Sequence, residues 1–182
     1  MNSAGMIKMG KYISMLLRHH PEEAGIVLDE HGWTDVDELI EKVNPKYPLT
    51  RQLLDRLVFC ADKRRYEYSD DKKSIRAVHG HSVKVDLGYE QSVPPDILYH
   101  GTAEKFRNSI EQNGLLKMGR QYVHLSDNIA QAKDVGSRHG KLLLYAVKAG
   151  AMLKSEMVFY RSASGVWLTD HVPTEYLEEI NV

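Results

Sequence analysis

The sequence predicts an α+β protein built as two lobes. Three observations carry this expectation. Apolar residues recur near period 3.6 in some segments and near period 2 in others, in both halves of the 182 residues. Between the halves, Gly88, Gln91, Ser92 and the pair Pro94-Pro95 break both periods, since proline removes a backbone donor and fixes φ. No long strand–helix–strand array and no G-x-G-x-x-G motif occurs, which argues against a dinucleotide-binding doubly wound sheet. The expected division is residues 1–85, a linker at 86–97, and residues 98–182.

The first lobe opens with a helix, its stripe formed by Ile7, Ile13, Leu16 and Leu17. Pro21 stops it near His20. Ile26-Val27-Leu28 reads as a short strand and Asp29-Glu30-His31-Gly32 as a turn. Thr34 or Asp35 caps a helix running to Val43, with Glu38 placed for a capping box. Thr50 caps another over residues 51–61, with Leu53, Leu54, Leu57 and Val58 inward. The alternations at 65–69 and 74–78, joined by Asp70-Asp71-Lys72-Lys73, predict a hairpin. Two short helices followed by a hairpin resemble a winged helix.

In the second lobe, Ile97-Leu98-Tyr99 is a strand leading into His100-Gly101-Thr102, read as a strand-to-helix turn. A helix over 103–113 ends at Gly114. Residues 122–125 and 142–147 are strands, and 128–137 is a helix. Val158-Phe159-Tyr160 and Val166-Trp167-Leu168 pair about the Ser164-Gly165 turn. A short helix closes the chain at 173–180.

Composition narrows function. The 42% hydrophobic and 27% charged content is that of an ordinary globular chain. A formal charge of −1 disfavours a nonspecific nucleic-acid binder, whose affinity rests on neutralising many phosphates. An RNA substrate would have to be held by a few placed arginines. Cys60 is the only cysteine, so no internal disulfide can form, which suits a reducing cytosol. Its run, Leu57-Val58-Phe59-Cys60-Ala61, predicts a buried structural thiol. No stretch suits a membrane span or a usual secretory signal.

Several residues can carry chemistry. Arg18-His19-His20 ends the first helix, where cations either answer the helix dipole or form an anion site. Lys63-Arg64-Arg65 is a solvated basic turn or a phosphate clamp. Arg120 precedes a strand; Arg138 and His139 stand at a helix end. His100-Gly101-Thr102 and His124-Leu125-Ser126 each end a strand, where amides at a helix N-terminus and a glycine open to close approach can bind phosphate or ribose. The nine histidines include His79-Gly80-His81 and His19-His20, but no zinc spacing, so catalysis without a metal is expected.

In order along the chain, these motifs carry a resemblance. They are Leu16-Leu17-Arg18-His19, Gly32-Trp33, Lys63-Arg64-Arg65-Tyr66, Ile75-Arg76-Ala77-Val78-His79-Gly80-His81-Ser82, Leu98-Tyr99-His100-Gly101-Thr102, Arg120-Gln121-Tyr122-Val123-His124-Leu125-Ser126, Arg138-His139-Gly140 and Gly165-Val166-Trp167-Leu168-Thr169. Each alone is common; the ordered set resembles the RNA 2′-phosphotransferase family over residues 12–177. The resemblance implies a winged-helix RNA lobe and an ADP-ribosyltransferase-like NAD-binding lobe. It implies a catalytic set of Arg18, His19, Arg65 and Arg120, with Arg64 the competitor for Arg65. Arg65 is preferred because the family's arginine directly precedes the aromatic, here Tyr66. His100, Gly101, Thr102, His124, Leu125 and Ser126 would line the NAD site, with Arg138 toward the adenosine half.

The implied partners are an RNA bearing a 2′-phosphate, as at a tRNA-like splice junction, and NAD as co-substrate, acting on a cytoplasmic monomer. The implied reaction has two steps. The 2′-phosphate attacks C1″ of the nicotinamide ribose, giving 2′-phospho-ADP-ribosylated RNA. O2″ then attacks phosphorus, releasing 2′-OH RNA and ADP-ribose 1″,2″-cyclic phosphate. Two other readings stand beside this one: an ADP-ribosyltransferase that stops after the first step, and a winged-helix nucleic-acid-binding regulator.

Overall fold

The computed structural model describes residues 3–60 and 64–181. Ala61 and Lys63, named above, lie outside the described residues. The chain forms two compact units, Met1–Gly88 and Tyr89–Val182, each with its own core. Helices and small antiparallel sheets alternate in both, an α+β architecture.

In the first unit, helix α1 (Ser3–Arg18) buries Met9, Ile13, Leu16 and Leu17 completely. That is an i, i+4, i+7, i+8 stripe, the face a surface helix turns inward. Ile7 was expected on it but is 57% exposed; Met9, on the stripe's own spacing, takes that place. Helix α1 ends where the His19 and His20 amides both donate to the Met15 carbonyl, and Pro21 begins a 3-10 turn to Ala24.

The predicted strand at Ile26–Leu28 does not form. Ile26 is buried and Val27 exposed, so the alternation is present. A strand also needs a ladder partner, and here the Ile26 amide closes back on Pro21 while Asp29 closes on Trp33. Strand β1 is instead Thr34–Asp35. Helix α2 (Val36–Val43) follows; the Asp35 carboxylate accepts from the amides of Asp37 and Glu38. Helix α3 (Arg51–Phe59) is capped by the Thr50 hydroxyl, as expected. Its end differs from expectation: Phe59 and Cys60 are exposed, so the thiol is not buried. Only Leu54 of this helix is fully buried, and the apolar run turns past the inward face as the helix ends.

The hairpin forms as predicted, β2 (Tyr66–Tyr68) against β3 (Ser74–Ala77), with β1 on the other edge of β3. Tyr66 is 1% exposed, and its hydroxyl donates to the Gly10 carbonyl at 2.7 Å and meets Ser14 Oγ at 2.6 Å. One buried phenol thereby ties the hairpin to α1.

In the second unit, β4 (Leu98–Ala103) is longer than predicted. It pairs residue for residue with β6 (Leu142–Val147), from Leu98↔Val147 to Ala103↔Leu142. His100-Gly101-Thr102 is therefore mid-strand, not a strand-to-helix turn. A 3-10 turn (Glu104–Phe106) and α4 (Arg107–Asn113) follow in place of one continuous helix. Strand β5 (Val123–Leu125), helix α5 (Ile129–Ser137) and strands β7 (Phe159–Arg161) and β8 (Trp167–Thr169) lie where the pattern placed them. Helix α6 (Ala149–Lys154) was not anticipated. The closing segment was expected helical, but only Thr174–Tyr176 makes a 3-10 turn. Leu177–Glu179 then adds strand β9 to the edge of β6, where unpaired ladder groups of β6 are satisfied. Arg107 anchors Glu179 there, Nη2 donating to Oε1 at 2.7 Å.

The sheets of this unit run β4-β6-β9 and β5-β8-β7. A two-way backbone bridge between Tyr99 and Ser126 joins the first to the second. Helix α5 crosses directly over β4. A Cβ on Gly136 would lie 2.6 Å from Leu142 Cδ1 and 2.8 Å from the Thr102 nitrogen, and one on Gly101 would collide with the Ala132 carbonyl.

Candidate functional site

Each unit gathers part of the expected set. In the first, Arg18 leaves the end of α1 and its Nη2 donates to the Arg65 carbonyl at 3.4 Å. The Tyr66 anchor explains this proximity, because it fixes the residue after Arg65 against α1. Arg64 and Arg65 then separate by partner. Arg64 is ion-paired with Glu67 at 2.8 Å, and Glu67 also takes Arg76 Nε at 2.7 Å. Arg65 is exposed and has no ion pair among the described residues. A guanidinium that lacks a carboxylate is the better placed to take a phosphate.

His19 is half-buried, its Nδ1 2.9 Å from Ser82 Oγ. The Ser82 and Val83 amides both donate to the Arg18 carbonyl, at 2.9 and 3.3 Å, and so cap the end of α1. His20 turns away to Glu22 at 3.0 Å. Next to Ser82, His81 is 2% exposed, and neither ring nitrogen has a hydrogen-bond partner among the described residues. Burial first, then the charges of Arg18, His19 and Arg76, push His81 down to about 4. Ser82 and His81 stood in a motif without an assigned role, and Glu67 only in the alternation of the hairpin. The Ser82 contacts join residues 63 and 64 positions apart, so their only signal in sequence was adjacency to a motif, whereas the partners of Glu67 lie only 3 and 9 positions away.

His81 has a stability consequence. Its folded pKa lies below its ordinary value of 6.5, so the fold holds it neutral. Its contribution is complete above about pH 6.5 and is lost as pH falls toward 4, by on the order of 3 kcal/mol at ~1.4 kcal/mol per unit. His100, also lowered by burial, acts in the same direction in the second unit. Urea unfolding from pH 7 to 4.5 should therefore show falling stability, with a shallower fall in His81→Asn. Parallel profiles for the two proteins would remove His81 as the source.

In the second unit, Arg120 and Tyr122 lie in the turn that leads into β5 and His124 lies within it, while Val123 and Leu125 enter the core. Arg120 Nη1 lies 3.2 Å from His124 Nδ1. A guanidinium can only donate, so Nδ1 accepts and the neutral ring carries its proton on Nε2. Burial lowers the Arg120 pKa, and Arg120 has no carboxylate partner among the described residues. A cation so stripped of water favours an anion. His100 Nδ1 donates to the His124 carbonyl at 3.0 Å, which leaves its Nε2 an acceptor.

The remaining expected residues divide. Ser126 Oγ meets Gln131 Oε1 at 2.6 Å and accepts from the Asn128 amide at 3.1 Å, just ahead of α5. Leu125 is a core side chain, 2% exposed. The space beside Gly101 is filled by α5, so this glycine has a packing reason and offers no ligand cradle on that side. Thr102 pairs in the ladder opposite Leu143. Arg138 pairs with Asp134 at 2.7 Å at the end of α5.

Among the described residues, no group of three or more His, Cys, Asp or Glu is arranged to hold a metal ion. No helix is long and apolar enough to cross a membrane.

Comparison with known proteins agrees with the motif order. The family model described as RNA 2'-phosphotransferase, Tpt1 / KptA family, matches residues 5–171. A probable RNA 2'-phosphotransferase of Nostoc punctiforme is 48% identical over 181 residues, 99% of this chain and 100% of that protein. The RNA 2'-phosphotransferase of Escherichia coli K12 is 45% identical over 181 residues, 97% of each chain. A probable RNA 2'-phosphotransferase of Fusobacterium nucleatum is 45% identical over 174 residues, 94% of this chain and 97% of its own. With its motifs in order and a match across nearly its whole length, this chain belongs to the RNA 2′-phosphotransferase family.

Proposed function

We propose that the protein is an NAD-dependent RNA 2′-phosphotransferase. In this reading the first unit is a winged-helix RNA lobe and the second an ADP-ribosyltransferase-like NAD lobe. In the same reading Arg18, His19, Arg65 and Arg120 are the residues that carry the phosphate chemistry. The observation that carries the reading is Arg120: a guanidinium drawn out of water, held by a neutral histidine, with no carboxylate among the described residues.

The donor set fits NAD in two respects. His100 presents an acceptor at Nε2, suited to a ribose hydroxyl. Arg120 supplies positive charge, and Ser126 and Gln131 add polar groups at the end of β5. NAD, when bound, supplies the ribose carbon that the 2′-phosphate attacks and the ribose hydroxyl that later receives the phosphoryl group. The protein's own work follows from the charges. A phosphate is already an anionic nucleophile and needs no general base; it needs orientation and partial neutralisation, which arginines provide. A carboxylate beside it would repel it. Charge then builds on the phosphoryl oxygens, where the same arginines stabilise it. His19 moves the proton between the accepting and leaving oxygens.

A single-turnover assay on a short RNA with one internal 2′-phosphate, with and without NAD, tests this. The expected result is NAD-dependent 2′-OH RNA together with ADP-ribose 1″,2″-cyclic phosphate. ADP-ribosylated RNA that never resolves would identify a transferase that stops after one step. Salt-dependent duplex DNA binding with no turnover would identify a regulator.

A further inference from the structure

The loop that follows the hairpin returns to the end of α1 and closes on it through one residue. Ser82 makes three contacts there. Its amide donates to the Arg18 carbonyl at 2.9 Å. Its hydroxyl oxygen lies 2.9 Å from His19 Nδ1 and 3.5 Å from that same Arg18 carbonyl. The amide contact fixes the serine backbone relative to the helix end, so the hydroxyl is held in place by more than its own rotamer. Val83 adds a second amide to the same carbonyl at 3.3 Å.

A serine hydroxyl has one proton and can both donate and accept. The carbonyl can only accept. When the hydroxyl proton is aimed at the Arg18 carbonyl, a lone pair of Oγ remains for an N–H at His19 Nδ1. The chain of donors then runs from Nδ1–H to Oγ and from Oγ–H to the carbonyl. Neutral His19 in that arrangement carries its proton on Nδ1 and a lone pair on Nε2. Protonated His19 keeps the same Nδ1 bond and gains a proton at Nε2. The two states differ only at Nε2.

We propose that Ser82 is a positioning residue for His19: it holds the ring in the Nδ1–H tautomer, so that Nε2 makes every proton exchange of the phosphate-transfer step. This rests on the phosphotransferase reading for its kinetic part and on geometry alone for its tautomer part. The atom balance is simple. Nε2 takes the proton of the attacking ribose hydroxyl as the O–P bond forms. It returns that proton to the RNA 2′ oxygen as the old O–P bond breaks. No other reactant is needed. Nδ1 keeps its proton throughout, and Ser82 neither gains nor loses one.

The charged and titratable neighbours of this pair come from three places. Arg18 and His20 flank His19 on its own segment, His20 with its ring centroid 6.5 Å away. His81 precedes Ser82 and feels the charges of Arg18, His19 and Arg76. Arg65 meets Arg18 from the approach to β2. A hydroxyl, which can relay an N–H without itself being charged, suits this place better than a carboxylate, which would raise the ring's pKa and weaken it as a base at neutral pH.

The test uses the full chain and two variants, Ser82→Ala and Ser82→Thr. Nitrogen-15 NMR of the His19 ring in the wild-type protein should show the neutral form protonated at Nδ1. In Ser82→Ala the Nε2–H form should appear, and Ser82→Thr should restore the wild-type pattern. In single turnover, Ser82→Ala should lower the rate about 10- to 100-fold, part of the whole effect of a general acid–base group. Half-saturating NAD and RNA should stay within about twofold, and the limb of the pH–rate profile that belongs to His19 should move. Ser82→Thr should recover both. A wild-type ring protonated at Nε2 would overturn the tautomer assignment, and an unmoved pH–rate limb in folded Ser82→Ala would overturn the positioning role. Because the NMR arm needs no turnover, a protein inactive on 2′-phosphorylated RNA would count against the function reading and leave the tautomer result to decide this one.

Discussion

Arg120→Ala is expected to slow turnover by about two to three decades while leaving the fold intact. One charge-assisted phosphate contact is worth on the order of 2–4 kcal/mol in a transition state, at ~1.4 kcal/mol per decade. Arg120 belongs at the upper end of this range because burial has already removed part of its water, so its charge is poorly screened. The loss should fall on the rate at saturating NAD. The truncation also frees His124 Nδ1 from the guanidinium at 3.2 Å, so Arg120→Lys is the sharper companion. It keeps a charge but loses the planar fork, and should recover only part of the rate. Arg65→Ala should cost about as much by the same arithmetic. Arg64→Ala should stay within a fewfold of wild type, since its charge is spent on Glu67 at 2.8 Å. Single-turnover rates on 2′-phosphorylated RNA check all four. Wild-type rates in folded Arg120→Ala would remove it from the catalytic set, and a large loss in Arg64→Ala with none in Arg65→Ala would exchange the two arginines.

Gly101→Ala should damage folding as severely as Arg120→Ala damages turnover. The added methyl would meet the Ala132 carbonyl of α5, with the Ala132 carbonyl carbon at 2.6 Å and the Gly136 nitrogen at 3.2 Å. All three neighbours are backbone, so no side chain can rotate out of the way. Either α5 lifts from β4 or the strand shifts against β6, and both break the buried contacts of this unit. Overpacking of this kind costs about 3 kcal/mol or more. For a unit of this size that is a fall in melting temperature of roughly 12–24 °C, at about 4–8 °C per kcal/mol. The measurement is thermal unfolding without NAD. A normal melting temperature together with weakened NAD binding would reverse the interpretation: the glycine would then serve close approach of the nucleotide, the role its motif first suggested.

The two substitutions mark where a sequence can be read directly. Arg120 carries its meaning in its type and motif: a fixed cation ahead of an alternating strand, in order with Arg18-His19, Arg65-Tyr66, His100 and His124. The α+β class, the helix caps at Asp35 and Thr50, the hairpin and the paired strands β7 and β8 were legible the same way, because each rests on contacts within a few residues. Gly101 was misread. A polar-glycine triplet after an apolar strand has the local chemistry of a turn, and nothing nearby in sequence announces that a helix 30 residues later needs the space of its side chain.

Other differences have the same origin. Ile26–Leu28 had the alternation of a strand but no partner, and Leu177–Glu179 became a strand because β6 had an open edge. Cys60 stood in an apolar run that the end of α3 turned outward. The sequence by itself determined which residue types could carry phosphate chemistry, which family the chain resembles and where its local elements begin. Only the tertiary structure decided which of Arg64 and Arg65 is left without an ion pair among the described residues, that burial favours the neutral form of His81, and that Ser82 lies 2.9 Å from His19. The Arg64 pair is local in sequence, but the other two outcomes depend on desolvation and on a hydrogen bond between distant segments, and neither quantity exists until the chain has closed on itself.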